Sequence, residues 1–97
     1  MTEVLSPDAA DAALTERGLA WSRDGDQLVK VVKRKNFAEA LAFVNAVGAR
    51  AEAADHHPDI DIRWNTVTLR LSTHSAGGLT ELDLDLAAEI DRLAPQG

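Results

Sequence analysis

Residues 56–74 read His56-His57-Pro58-Asp59-Ile60-Asp61-Ile62-Arg63-Trp64-Asn65-Thr66-Val67-Thr68-Leu69-Arg70-Leu71-Ser72-Thr73-His74. Two alternating runs stand here back to back. Ile60, Ile62 and Trp64 alternate with Asp59, Asp61 and Arg63, and Val67, Leu69 and Leu71 alternate with Thr66, Thr68, Arg70 and Ser72. A period of two is that of a strand with one face buried, so the stretch predicts two strands. They must turn near Trp64-Asn65, where no glycine eases the reversal. Pro58 disfavours helical geometry at His57, so a preceding helix ends by about His56.

That helix is written clearly upstream. Asn36 is a good N-cap and Glu39 stands at N3, as in a capping box. Phe37, Ala40, Leu41, Val44, Val47 and Ala51 recur at helical spacing and define one expected apolar face. Gly48 in the same run costs about 1 kcal/mol relative to alanine, a cost that close packing would explain. Further upstream, Leu19-Ala20-Trp21-Ser22 and Gln27-Leu28-Val29-Lys30-Val31-Val32 flank Asp24-Gly25, a hairpin signal. Ser6-Pro7 opens a first short helix that Gly18 closes. Downstream of the quoted stretch, Thr80 is an N-cap with Leu79 and Leu84 as a hydrophobic staple. Leu82, Leu86, Ile90 and Leu93 are the expected buried stripe of the last helix. The order is helix, hairpin, helix, hairpin, helix. It predicts an α+β two-layer sandwich, with a four-stranded antiparallel sheet and the helices packed on one face.

The 97 residues fit one domain over residues 1–97. A domain of this size has little room for a deep cavity, so a ligand is expected in a surface cleft. The net charge of -6 argues against a nucleic-acid binder, which needs a basic face. Lys30, Lys33, Arg34 and Lys35 form a basic run, read as a solvated strand end. With no cysteine, disulfides and thiolate chemistry are excluded. No stretch approaches the roughly 20 apolar residues of a membrane span, so no membrane partner is expected. Met1-Thr2-Glu3-Val4-Leu5 lacks the form of a signal peptide, so the expected location is cytoplasmic.

The three histidines of the chain, His56, His57 and His74, flank the quoted hairpin. Imidazole is the side chain whose ordinary charge change falls near neutral pH, so such a group is a candidate acid–base centre. His56 is expected at the end of the long helix, with Glu52 one turn earlier in position to reach it and Asp55 beside it. His57 is extended, and its side chain should point elsewhere. His74 ends a strand before Ser75-Ala76-Gly77-Gly78, a loop that either turns the chain or offers backbone N–H groups to a ligand. Asp83 either caps the last helix or fixes a histidine tautomer. The competing reading is a three-histidine metal site. Adjacent histidines on a helix point about 100° apart, which suits it poorly, and no metal is expected.

Together these residues resemble the signature of the pterin-4a-carbinolamine dehydratase family. The family pattern places a glutamate four residues before His-His-Pro, then an aromatic strand residue, Thr-His, a Gly-Leu-Thr/Ser turn, an aspartate, and Leu-Ala with Ile-Asp/Glu. Here these are Glu52, His56-His57-Pro58, Trp64, Thr73-His74, Gly78-Leu79-Thr80, Asp83, Leu86-Ala87 and Ile90-Asp91. With Trp21, Leu28 and the Phe37–Val44 run, the resemblance covers roughly residues 14 to 94. It implies dehydration of 4a-hydroxytetrahydropterins to quinonoid dihydropterin, which recycles the cofactor of aromatic amino-acid hydroxylases. It implies a homodimer or homotetramer that needs neither metal nor organic cofactor. Carried over, the catalytic set is His56, His57, His74 and Asp83, while Glu52, Asp55, Pro58, Thr73 and Ser75 contact substrate. Ile60 departs from the aromatic residue that many relatives place there, and Val32-Lys33 from a frequent phenylalanine. The family also implies an alternative, a non-catalytic dimerisation or assembly module acting as a transcriptional coactivator or assembly chaperone.

Overall fold

The computed structural model describes residues 3–94, so both ends of the unit expected over residues 1–97, Met1-Thr2 among them, lie outside the described residues. The elements are α1 (Pro7–Glu16), β1 (Ser22–Asp24), β2 (Gln27–Lys33), α2 (Phe37–Ala54), β3 (Asp59–Arg63), β4 (Thr66–Leu71) and α3 (Glu81–Leu93). The N-caps read from the sequence are in place, although the Glu39 side chain does not complete the capping box expected at α2. Ser6 accepts from the Ala9 N–H, Asn36 from the Glu39 N–H, and Thr80 heads a capping box with Asp83. Gly18, just past α1, takes the left-handed φ of 63° that closes a helix.

The two hairpins join into one antiparallel sheet in the order β1-β2-β4-β3. The central pair runs in register from Leu28↔Leu71 to Lys33↔Thr66. Leu28 and Val32 of β2 and Val67, Leu69 and Leu71 of β4 are buried on one face. They form a single core with Ala40, Phe43, Val47 and Ala51 of α2 and Leu84, Leu86, Ala87 and Ile90 of α3. The other face stays open, with Val31 63% exposed. This is the expected α+β layering. At the N-terminal side, the Arg23 guanidinium grips both oxygens of Asp11 and ties α1 to β1. That contact holds the Asp11 carboxyl below its ordinary range.

Several details depart from the sequence reading, each for a visible reason. β1 covers only Ser22–Asp24, and the two-residue turn is Gly25-Asp26. Ala20 and Trp21 leave the sheet because Asp91 of α3 takes the Ala20 N–H and the Trp21 Nε1–H, both at 2.9 Å. The buried stripe of α2 is Ala40, Phe43, Val47 and Ala51, whereas Phe37 and Leu41 are exposed. The helix carries more apolar side chains than one contact face covers, and periodicity alone does not say which are left over. Nothing lies within 4 Å of a Cβ built on Gly48, so close packing does not explain that glycine. On α3, Asp83 takes an inward position and Leu82 is 41% exposed. Lys30 is no solvated strand end. It is 7% exposed, pairs with Asp91 at 3.0 Å and donates to the Ala20 carbonyl. Arg34 also turns inward, stacking over the Phe43 ring and donating to the Leu93 carbonyl.

The glycine-free turn falls where expected, at Trp64-Asn65, with Trp64 at a φ of 57°. A bulky residue rarely takes that conformation. Hydrogen bonds from the Arg34 N–H to the Asn65 carbonyl and from Asn65 Nδ2 to the Arg34 carbonyl hold it there.

Candidate active site

The two histidine arms meet at one carboxylate. α2 stops at Ala54, and Asp55 takes the left-handed conformation (φ 51°, ψ 42°). The Asp55 N–H donates to the Glu52 carbonyl and the His56 N–H to the Ala51 carbonyl. These are the 5→2 and 6→1 bonds of a Schellman closure, with aspartate where glycine is usual. The closure places His56 beyond the helix rather than on its last turn. Its ring turns toward α3, where Nε2 lies 2.5 Å from Asp83 Oδ1. Glu52, expected to reach His56, pairs with Nε2 of His57 instead.

Asp83 is fully buried at the third position of α3. Its second oxygen, Oδ2, accepts from the Thr73 hydroxyl at 2.8 Å and from the Thr80 N–H at 3.0 Å. The Thr73 and Thr80 hydroxyls meet at 2.8 Å. Thr73 pairs with Gly78 in an isolated antiparallel bridge that closes a small turn beyond β4. His74 and Ser75 sit in that turn and are exposed. The N–H groups of Gly77 and Gly78 bond to the Thr73 carbonyl, so the glycines shape the turn and do not offer donors outward. Gly77 supplies a φ of 79°.

The structure therefore gathers His56, Asp83 and Thr73 into one cluster and places His74 directly after its threonine. His57 and Glu52 form a separate exposed pair, with side chains 52% and 78% exposed. Asp55 is exposed, and Pro58 is half-buried at the entry to β3. A cleft of about 330 Å³ opens between the end of α2 and the first turns of α3. Ala53, Ala54, Leu82 and Leu86 line it together with His56 and the charged Arg50, Asp85 and Glu89. The His56 ring thus lies between a buried anion and an open, largely apolar space. Among the described residues no three His, Asp or Glu side chains are arranged to hold a metal ion.

Sequence reading missed Thr80 as a member of this cluster and mistook the partner of Glu52. The Thr-x-x-Asp spacing of residues 80–83 was the available signal for the first, since a capping box brings that pair together.

A family model described as pterin 4 alpha carbinolamine dehydratase matches residues 3–93. The chain belongs to that family. A relative from Nocardia farcinica, provisionally named pterin-4-alpha-carbinolamine dehydratase, is 53% identical over 93 residues, covering 96% of this chain and 97% of its own. Among solved structures, a Brucella melitensis protein described as a transcriptional coactivator/pterin dehydratase superposes with a TM-score of 0.88 at 31% identity, covering 96% of this chain and all of that one. A pterin dehydratase-like protein described as a RuBisCO assembly factor in the alpha-carboxysome gives 0.64 at 25% identity, over 81% and 92% of the two chains. Within the family, then, the fold accompanies both a dehydratase name and an assembly-factor name.

Proposed function

We propose that the chain dehydrates 4a-hydroxytetrahydropterins, 4a-hydroxytetrahydrobiopterin among them, to quinonoid dihydropterin by histidine acid–base catalysis. The reaction breaks the C4a–O bond while the departing oxygen gains a proton and leaves as water. The N5 proton passes to a base as the quinonoid double bond forms. One group must therefore give a proton and another take one, each typically contributing about 10²–10⁴ in rate. The observation that carries the reading is His56, held by buried Asp83 at the edge of a cleft. His74 is the second proton-transfer group, accessible on the turn that Thr73 anchors to the same carboxylate. His57, oriented by Glu52, contacts the pterin, with Asp55, Pro58 and Ser75 beside it. The product, once reduced by two electrons to the tetrahydropterin, would again serve aromatic amino-acid hydroxylases as their cofactor.

The test is single-turnover dehydration by purified protein treated with a strong chelator. Acceleration over the spontaneous rate is expected. No acceleration contradicts the reading, and loss on chelation restored by zinc replaces it with a metal site.

The second reading, a dimerisation or assembly module, draws on two surface features that the first reading shares. Phe37 and Leu41, one turn apart on α2, are 44% and 39% exposed. Among the described residues the outer edges of β1 and β3 are also unpaired. A second copy would cover such surfaces, so a homodimer or homotetramer belongs to either reading. Light scattering at high micromolar concentration should report a dimer or larger, and a monomer would contradict it.

A further inference from the structure

We propose that Thr73 is a positioning residue rather than a substrate contact. Its hydroxyl occupies Oδ2 and so orients the Asp83 carboxylate, whose Oδ1 holds His56 in the Nε2–H tautomer and leaves Nδ1 as the nitrogen that exchanges a proton with the ligand. This inference deepens the acid–base reading of His56 and rests on it.

Proton inventory gives the direction of every bond in the cluster. An ionised carboxylate only accepts. Two donors at Oδ2 and the N-terminal end of α3 both stabilise a negative charge on Asp83. The Thr73 hydroxyl therefore donates to Asp83, and that uses its single proton. At the 2.8 Å contact with Thr80 it must accept, so the Thr80 hydroxyl donates. Thr80 Oγ1 in turn accepts the Leu82 N–H at 3.2 Å. The chain runs from the Leu82 N–H through Thr80 and Thr73 to Asp83, and no buried side-chain N or O among the described residues is left without a partner.

Oδ2 is thus filled, and Oδ1 is the oxygen that meets His56. The ring must donate from Nε2, which puts the neutral lone pair, or the labile proton of the imidazolium, on Nδ1. Thr73 is 4% exposed and Thr80 fully buried, so neither hydroxyl is open to a bound pterin. The methyl branch of Thr73 restricts its rotamer, so the hydroxyl stays aimed at the carboxylate.

Two measurements test this, one of them independent of turnover. Nitrogen-15 shifts of the neutral His56 ring should report Nε2–H in the wild type. In Asp83→Asn the amide oxygen stays with the Thr73 and Thr80 donors, its NH₂ faces the ring, and the tautomer should invert to Nδ1–H. Kinetically, Thr73→Val should lower kcat by about 10–100-fold, by analogy with the loss of an outer hydrogen-bond partner behind a metal-ligating histidine, with KM within about twofold. Thr73→Ser should recover the rate to within a few-fold. A raised KM with unchanged kcat in Thr73→Val would make Thr73 a substrate contact and overturn the proposal. So would Nδ1–H in the wild type, or an Asp83→Asn ring that keeps its tautomer. A protein that turns over no pterin would sink the proposed function, while the shifts would still decide the tautomer assignment. If Thr73→Val does not fold, Thr73→Ser kinetics and the wild-type spectrum carry the decision.

Discussion

α3 carries two aspartates facing inward, Asp83 and Asp91, about 12 Å apart along the axis. Each is the centre of a polar cluster, and the two clusters are built for different ends. Asp91 binds the Ala20 N–H, the Trp21 Nε1–H and the Lys30 ammonium, which also lies 5.9 Å from the Trp21 ring centre. Its ionic partner is a lysine that is itself buried, and the cluster pins β2 and the segment leading into β1 to the helix. Asp83 binds two threonines and a histidine. Its partner is an imidazole that borders a cleft. An inward-facing carboxylate thus acts as scaffold or as part of a site according to the chemistry of its partner and whether that partner can reach a ligand.

If that division holds, substitutions in the two regions separate cleanly. The largest effect belongs to the histidines. His56→Ala and His74→Ala should each lower single-turnover dehydration by about 10²–10⁴ while the protein stays folded. A rate within twofold of wild type would remove that histidine from the chemistry, and unfolding would make it structural. On the other side, Lys30→Met leaves Asp91 without its cation and should cost about 2–3 kcal/mol, somewhat below the range for a fully buried pair because Asp91 keeps two N–H donors. For a chain of this size that lowers the Tm by about 10 °C or more. The rate per folded molecule should not change, and a tenfold loss would merge the two regions into one.

What was legible in the sequence divides along the same line. The strands around Trp64-Asn65, the three N-caps and the layered fold follow from local signals, because alternation and capping residues act within a few positions. Which side of α2 packs did not follow. Phe37 and Phe43 are both aromatic, and only the sheet decides that Phe43 is buried. Lys30 was misread for a related reason, since its neighbours in sequence are basic while its partner, Asp91, lies in another element. At the site, His56 and Asp83 were identified but their pairing was not, because it depends on the left-handed Asp55 turning His56 away from Glu52. Thr73 was assigned to substrate through family resemblance, and its burial shows a hydroxyl engaged internally.

The smallest effect sharpens the scaffold side alone. Gly48 sits in mid-helix with open space around its Cα. Gly48→Ala should therefore raise stability by about 0.5–1 kcal/mol and leave the rate alone, as denaturant melts and kinetics on one preparation would show. Destabilisation would mean that the position is occupied in the assembled protein.

The most direct test sets the two aspartates against each other. Asp83→Asn and Asp91→Asn are matched substitutions, and single-turnover dehydration can be read with the Tm on the same samples. Asp83→Asn should lose at least about 100-fold in rate per folded molecule, because a histidine held in the wrong tautomer is a poor acid or base. Asp91→Asn should lower the Tm and keep its rate within about twofold. Equal rate losses in the two variants, or an Asp83→Asn protein that works as well as wild type, would contradict the account.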